Sequence, residues 1–287
     1  MNYELDYWLD HIANEKAVLF IGAGISKIAG CYDWNTIIEK LNNHDVMKEA
    51  FPKQIVLKSI LNEEWMEVCR GKFDDKERID DFWGILSSSL YPDDKLYSEK
   101  YVPLVMNLKK VKPFPKIITT NIDDCLERTK QFDPGKVLYE ECNYVMNKFV
   151  SGVICHIHGY CLNLKAALWF KSQYIRLYEQ SEFSKYIKEI ISNYSVLFIG
   201  YGFRDKELLN LFGATKSKGS DIKHFALIPS HEYTDENEAV YKDLYNITLI
   251  KYGETDRFIP EISQWIDSRF VESSIISGTI GGELANV

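Results

Sequence analysis

The chain has 287 residues, of which 46% are hydrophobic and 26% charged, and its net charge is −8. That length can hold one large domain with a sizeable insertion, and the composition is ordinary for a globular fold. An acidic balance with no Lys/Arg cluster beyond pairs such as Lys109-Lys110 argues against direct nucleic-acid binding by this segment, because phosphate-backbone binding needs a basic face.

The first residues, Met1 to Asp6, carry neither a basic start nor an apolar core, and no apolar run approaches the ~20 residues that span a bilayer. The expectation is a cytoplasmic protein with no membrane contact. Six cysteines (Cys31, Cys69, Cys125, Cys142, Cys155 and Cys161) are dispersed, and none forms a Cys-x-x-Cys pair. A four-cysteine zinc site is therefore not expected, no metal is predicted, and a reducing compartment fits.

Leu5, Trp8, Leu9 and Ile12 stand at helical spacing and lead into Val18-Leu19-Phe20-Ile21, a short buried strand closed by Gly22-Ala23-Gly24. A strand, a glycine turn and a helix start at Ile25-Ser26 predict a nucleotide site: glycines admit close backbone approach, and a helix N-terminus offers N–H groups to phosphate. Trp34, Ile37, Ile38 and Leu41 mark the next helix, with Asp33 as its N-cap candidate. From about 45 to 110 the pattern stays helical. Ile55, Val56, Ile60 and Leu61 form one stripe, Ile79, Phe82, Trp83, Leu86 and Leu90 another, and Tyr101 to Val105 begin a third. This block reads as a helical insertion over about 35–112.

Strands return at Pro115–Thr120, followed by the capping-competent Asn121-Ile122-Asp123-Asp124, and at Val153–His158 before Gly159. A helix through Phe183, Tyr186, Ile187, Ile190 and Ile191 feeds Val196–Ile199 and a second glycine pair, Gly200-Tyr201-Gly202. Strands at His224–Ile228 and Ile247–Tyr252, and a last helix through Phe258, Ile262, Trp265 and Ile266, complete the pattern. The fold class is α/β, a Rossmann-like parallel sheet flanked by helices, with residues 1–271 as one domain. The Gly/Ser-rich stretch 272–287 reads as a linker or the start of a further region. Ligands of such sheets sit at strand carboxyl ends, where all four polar or glycine motifs fall.

Gly22-Ala23-Gly24-Ile25-Ser26, Thr120-Asn121-Ile122-Asp123, His158-Gly159 and Gly200-Tyr201-Gly202, in this order, resemble the sirtuin (SIR2) family. Trp34 with its helix, and the stretch from Phe198 to Asp205, resemble the SIR2-like branch of bacterial anti-phage defence proteins more closely. Two departures set the chain apart from protein-deacylating sirtuins. Gly30-Cys31-Tyr32-Asp33-Trp34-Asn35 stands where they carry Gly-Ile-Pro-Asp-Phe-Arg, and there is no zinc ribbon; the helical insertion takes its place.

The resemblance implies an NAD glycohydrolase that cleaves NAD, as substrate, to nicotinamide and ADP-ribose and depletes it in infected cells. A homo-oligomer, or a sensor partner or fused domain, would activate it. A protein deacylase and a non-catalytic NAD or ADP-ribose sensor are the alternatives. Gly22, Ala23, Gly24 and Ser26 would lie against the pyrophosphate, Asn121 would hold the ribose and position water, and Asp123 would meet the nicotinamide amide. Gly200, Tyr201 and Gly202 would face the adenosine ribose. Asp33 either contacts NAD or caps its helix, Asp205 reads as a helix cap, and Tyr252 stands near the adenine by position. His158 is the base candidate, since a neutral imidazole can take a proton from a hydroxyl or water. Period-two alternation puts His156 on the same sheet face, so spacing does not choose between them; the following glycine and the family pattern favour His158.

Overall fold

The computed structural model describes residues 4–52, 61–111, 113–131, 137–138, 146–179, 181–253 and 264. Much of the 55–61 stripe, the last helix through Phe258 and Trp265, and the tail 272–287 lie outside the described residues; Leu61 itself is exposed at the start of a helix.

A seven-stranded, wholly parallel sheet forms the centre, in the spatial order β3-β4-β2-β1-β5-β6-β7. Its strands are β1 (Ala17–Ile21), β2 (Lys116–Thr119), β3 (Val137–Leu138), β4 (Ile154–His156), β5 (Ser195–Ile199), β6 (His224–Pro229) and β7 (Ile247–Tyr252). Six of these are the expected strands, and the two-residue β3 is too short for any alternation to show. β1 lies between β2 and β5, so the chain reverses its direction of winding across it. The register is level: Ile21 pairs with Thr119 on one side and with Ile199 on the other. The turns after these three strands therefore leave the sheet at one height.

Both faces are covered, which is why the strands read as continuous apolar runs. Leu19, Ile21, Ile117 and Leu197 pack under α1 (Glu4–Ala13), α2 (Ala23–Ile28) and α8 (Val102–Leu108) through Trp8, Ile25 and Leu104. Val18, Phe20, Ile118 and Phe198 meet α11 (Ser181–Asn193) and α12 (Lys206–Lys216) through Phe183, Ile187 and Phe212.

The expected helical block follows α2 as α3 (Trp34–Asn42), α4 (Asp45–Ala50), α5 (Asn62–Asp75), α6 (Ile79–Ser89) and the single turn α7 (Asp94–Leu96), before α8. It has its own core of Ile37, Leu41, Trp65, Phe73 and Phe82, and Ile122, Trp169 and Phe170 from the sheet side join that core. The block is thereby fixed over the carboxyl ends of the strands. Two further helices complete the layers: α10 (Lys171–Glu179), which the sequence pattern did not predict, and α13 (Asp235–Tyr245).

One expectation fails at β4. The strand ends at His156, and Ile157 and His158 already belong to a turn, with Leu168 N donating to His158 O at 2.8 Å. The two-residue period stops where the strand stops, so it does not relate His156 to His158.

The two glycine turns press against each other. A Cβ at Gly22 would lie 2.4 Å from Gly200 O, and one at Gly200 would lie 2.7 Å from Ile25 N on a left-handed backbone, φ +64°. Gly202, by contrast, has nothing within 4 Å of its Cβ position. Gly200→Ala is expected to destabilise the fold by about 2 kcal/mol or more, while Gly202→Ala stays within about 0.5 kcal/mol. Chemical denaturation of the two variants checks this, and equal losses would contradict it.

Candidate functional site

A cavity of about 660 Å³ opens between the strand ends and the helical block. Its floor is made by the two glycine turns (Ala23, Gly24, Gly200, Tyr201, Gly202) and the β2 turn (Thr120 to Asp123), and its walls by Trp34, Trp169, His158, Tyr174 and Asp205.

Asn121 is the most constrained polar residue on that floor. Its Nδ2 donates to Gly22 O at 3.1 Å and to Ser26 Oγ at 2.8 Å, and its backbone N–H donates to Thr119 Oγ1 at 3.0 Å. Thr119 Oγ1 in turn donates to Ile21 O at 2.8 Å, tying β2 to the end of β1. Both amide protons are therefore committed, and the Asn121 side chain does not cap the following helix. Its Oδ1 is buried without a partner. An unpaired buried acceptor on a cavity-lining residue is the mark of a site completed by a bound hydroxyl or water. Asp124 is the N-cap of α9 (Cys125–Arg128) without a side-chain bond, and the first helical amide, Cys125 N, donates to Asp123 Oδ1 at 3.1 Å. Burial raises the Asp123 pKa, against the hydrogen bonds from Ser26 and Cys125 that lower it.

His158 is 4% exposed. Its Nε2 lies 3.0 Å from Tyr178 Oη and 3.2 Å from Asp205 Oδ2, and the Tyr178 hydroxyl donates to the same carboxylate oxygen at 2.6 Å. With the tyrosine proton directed at Asp205, Nε2 of His158 must be the donor. In the neutral ring this leaves Nδ1 as the basic atom. Burial would raise the Asp205 pKa, but its hydrogen bond to His158, the histidine charge and the bond from Tyr178 hold it below the usual carboxylate range. Asp205 also caps α12, its Oδ1 accepting from Leu208 N at 2.9 Å, so one carboxylate serves the helix and the histidine.

His156 is engaged elsewhere. Its Nδ1 lies 2.6 Å from Asn121 O and its Nε2 2.7 Å from Glu127 Oε1, so both nitrogens donate and the ring holds the Asn121 backbone from behind. Burial pulls its pKa down, but the hydrogen bond and charge of Glu127 outweigh it and the net shift is upward.

The remaining predicted residues divide. Ala23, Gly24, Ser26, Asp33, Gly200, Tyr201, Gly202 and Tyr252 reach the cavity lining, whereas Gly22 lies beneath it. The Gly22 and Gly24 amides donate to Ile199 O and Gly200 O at 2.9 and 2.8 Å. The Ser26 hydroxyl is held between Asn121 and Asp123. Asp33 caps α3, accepting from Thr36 N at 2.9 Å, and also receives Lys27 Nζ at 2.8 Å. Burial opposes the downward shift of its pKa, but those bonds prevail and bring it to about 2. Tyr201 Oη is buried without a partner.

Sequence reasoning missed Tyr174 and Tyr178, which α10 presents one turn apart to His158 with parallel rings, as well as Arg204 and Lys27 on the lining. The four-residue spacing of the tyrosines was the available signal, but α10 (KSQYIRLYE) lacks the apolar stripe that would have marked a helix.

Residues 115–250 match the model of the SIR2-like domain family, a span that begins just before β2 and closes within β7. Among solved structures, the chain is similar to one titled as the crystal structure of a Sir2 homolog–NAD complex. The two are 12% identical, with 94% of this chain and 95% of that chain covered and a TM-score of 0.41. No curated protein matches this chain.

The His156–Glu127 pair has a pH signature. A raised histidine pKa contributes stability that is fully present below the unfolded value of 6.5 and is lost as pH rises through the folded value. His156→Gln, which strands a buried carboxylate, is expected to cost about 3 kcal/mol at pH 6, and the gap to wild type narrows above pH 7. Urea midpoints at pH 6 and 8.5 measure it; a gap independent of pH would contradict the assignment.

Proposed function

We propose that this protein is an NAD glycohydrolase, cleaving NAD+ with water to nicotinamide and ADP-ribose. The observation that carries the reading is the unpaired, buried Oδ1 of Asn121 beside the cavity that also holds His158, a histidine with one nitrogen fixed as donor. The SIR2-like match over 115–250, which contains both residues, supports it.

The cavity floor would carry the pyrophosphate along Ala23, Gly24 and Gly202, and Lys27 and Arg204 would supply the positive charge on its wall. Lys27 is already paired with Asp33, which keeps the net charge of that wall small and favours a dinucleotide over a highly charged anion. Asp123 would receive the nicotinamide amide N–H. Departure of nicotinamide leaves an oxocarbenium-like ribose, so the protein's task is to stabilise that centre and bring water to it. Asn121 Oδ1 accepts from a ribose hydroxyl or the attacking water. His158 Nδ1 takes the proton that water loses when its oxygen bonds to the ribose carbon, and Asp205 and Tyr178 hold the ring and stabilise the imidazolium that forms. The proton then passes to solvent, which balances the reaction.

In this reading the enzyme depletes NAD in the cytoplasm as an effector of anti-phage defence. Unregulated cleavage would be lethal, so the chain is held silent until an oligomer, partner or fused sensor changes its state.

NAD, nicotinamide and ADP-ribose are to be quantified in cells expressing the chain and, for the activated protein, in vitro. Asn121→Ala and His158→Ala are each expected to lower the rate by about 10²–10⁴. Asp205→Asn, which disturbs the ring's tautomer, should lower kcat with KM little changed. Nicotinamide release that requires an acylated peptide would replace the reading with a deacylase. NAD that is bound yet stays intact, with the variants unchanged, would replace it with a binding module.

A further inference from the structure

Two cysteines far apart in the chain meet beneath the cavity. Cys31 follows α2 and Cys125 opens α9, and their sulfurs lie 3.4 Å apart although 94 residues separate them. One oxygen of Asp123 joins them, with the three donor atoms all within 4.8 Å of one another. All three residues are buried, and Cys31 and Asp123 also border the cavity, which gives an ion a way in.

A second observation points to the same place. Tyr101 is fully buried, and its hydroxyl has no partner. Burial first, and then the charges of Asp123 and Cys125, raise its pKa, so the hydroxyl lies within the field of two of the three donors. An orphaned buried hydroxyl in the field of Asp123 and Cys125 is accounted for if a further oxygen, such as a metal-bound water, belongs between them.

We propose that Cys31, Asp123 and Cys125 form a binding site for one thiophilic divalent cation, Zn2+ being the best fit, with a water as the fourth ligand bonded to Tyr101. Two thiolates at about 2.3 Å from a tetrahedral Zn2+ stand roughly 3.7 Å apart, so the sulfurs need to separate by only a few tenths of an ångström. Two sulfurs and one oxygen suit zinc rather than Mg2+ or Ca2+, which take oxygen ligands. On binding, each thiol S–H bond breaks, the sulfur pair of electrons goes to the metal, and two protons leave to solvent. Without an ion, the Cys31 hydrogen bond, burial and the Asp123 carboxylate all push the Cys125 pKa up. Cys125 is thus a poor nucleophile for oxidation, and a divalent charge reverses that balance. A bound ion would also withdraw Asp123 from the cavity floor. This consequence for NAD rests on the reading above, whereas cation binding does not.

The test uses the full chain, reduced with a phosphine and stripped with a chelator, then titrated with Zn2+ and with Co2+. Expected are one Zn2+ per chain, about two protons released per ion in buffers of different ionisation enthalpy, and a thiolate-to-Co2+ charge-transfer band for two sulfurs. Cys125→Ser should abolish that band and the stoichiometric binding, and Tyr101→Phe should weaken affinity about tenfold. Circular dichroism verifies that each variant is folded. Absence of the band in wild type needs no variant and overturns the proposal, as does binding that persists in Cys31→Ser and Cys125→Ser. Nicotinamide release measured with and without Zn2+ reads the consequence separately. Binding without inhibition removes only the link to NAD, and inhibition without binding at these residues overturns the site.

Discussion

The contact on which the rest of this architecture depends is the one between two glycine turns. β1 and β5 are neighbours in level register, so the turns that leave them collide unless neither carries a side chain. Gly22 and Gly24 on one side and Gly200 on the other meet this demand, and backbone bonds from Gly22 and Gly24 to Ile199 O and Gly200 O close the gap. The glycines of the two turns thus form a seam as well as part of the cavity floor. A Cβ at Gly22 would strike backbone, which cannot give way as a side chain can.

That seam sets the height of everything above it. Gly22 O is pinned, so it can accept from Asn121, and Asn121 can then share Ser26 with Asp123. His156 closes the arrangement from behind, using Glu127 to pay for its burial. The outcome is a short polar chain in which two buried oxygens, Glu127 Oε2 and Asn121 Oδ1, are left without a partner. Of the two, Asn121 Oδ1 belongs to a residue that lines the cavity. Fixing an amide so firmly that only its acceptor is left over is preorganisation: a ligand hydroxyl would find it already oriented.

The opposite wall is built differently. α10 carries Tyr174 and Tyr178 to His158, and Asp205 arrives from the turn before α12, so the histidine is held by elements that follow it in the chain. The helical block between α2 and α8 shares a core with Trp169 and Phe170, which seats it on the site rather than beside it. Asn121 and His158 thus belong to two separately braced networks with the cavity between them.

The sheet was legible in the sequence because its signals are local. Apolar runs of four to six residues, each closed by glycine or a polar cap, recur with helices between them, and a parallel α/β sheet is the fold that buries such runs on both faces. The strand-end placement of Gly24, Asn121, His158 and Gly202 followed from the same pattern. Tertiary structure alone decided what those residues do for one another. The early end of β4 separated His156 from His158, which alternation had placed together. Asp33, read as a cap or a contact, and Asp205, read as a cap, each cap with one oxygen and pair with the other. Tyr178 stayed hidden because α10 has too few buried positions to show a stripe. Cys31 and Cys125 offered no spacing signal at all, since a contact across 94 residues is fixed by where the loop after α2 meets the start of α9 and leaves no mark on neighbours in sequence.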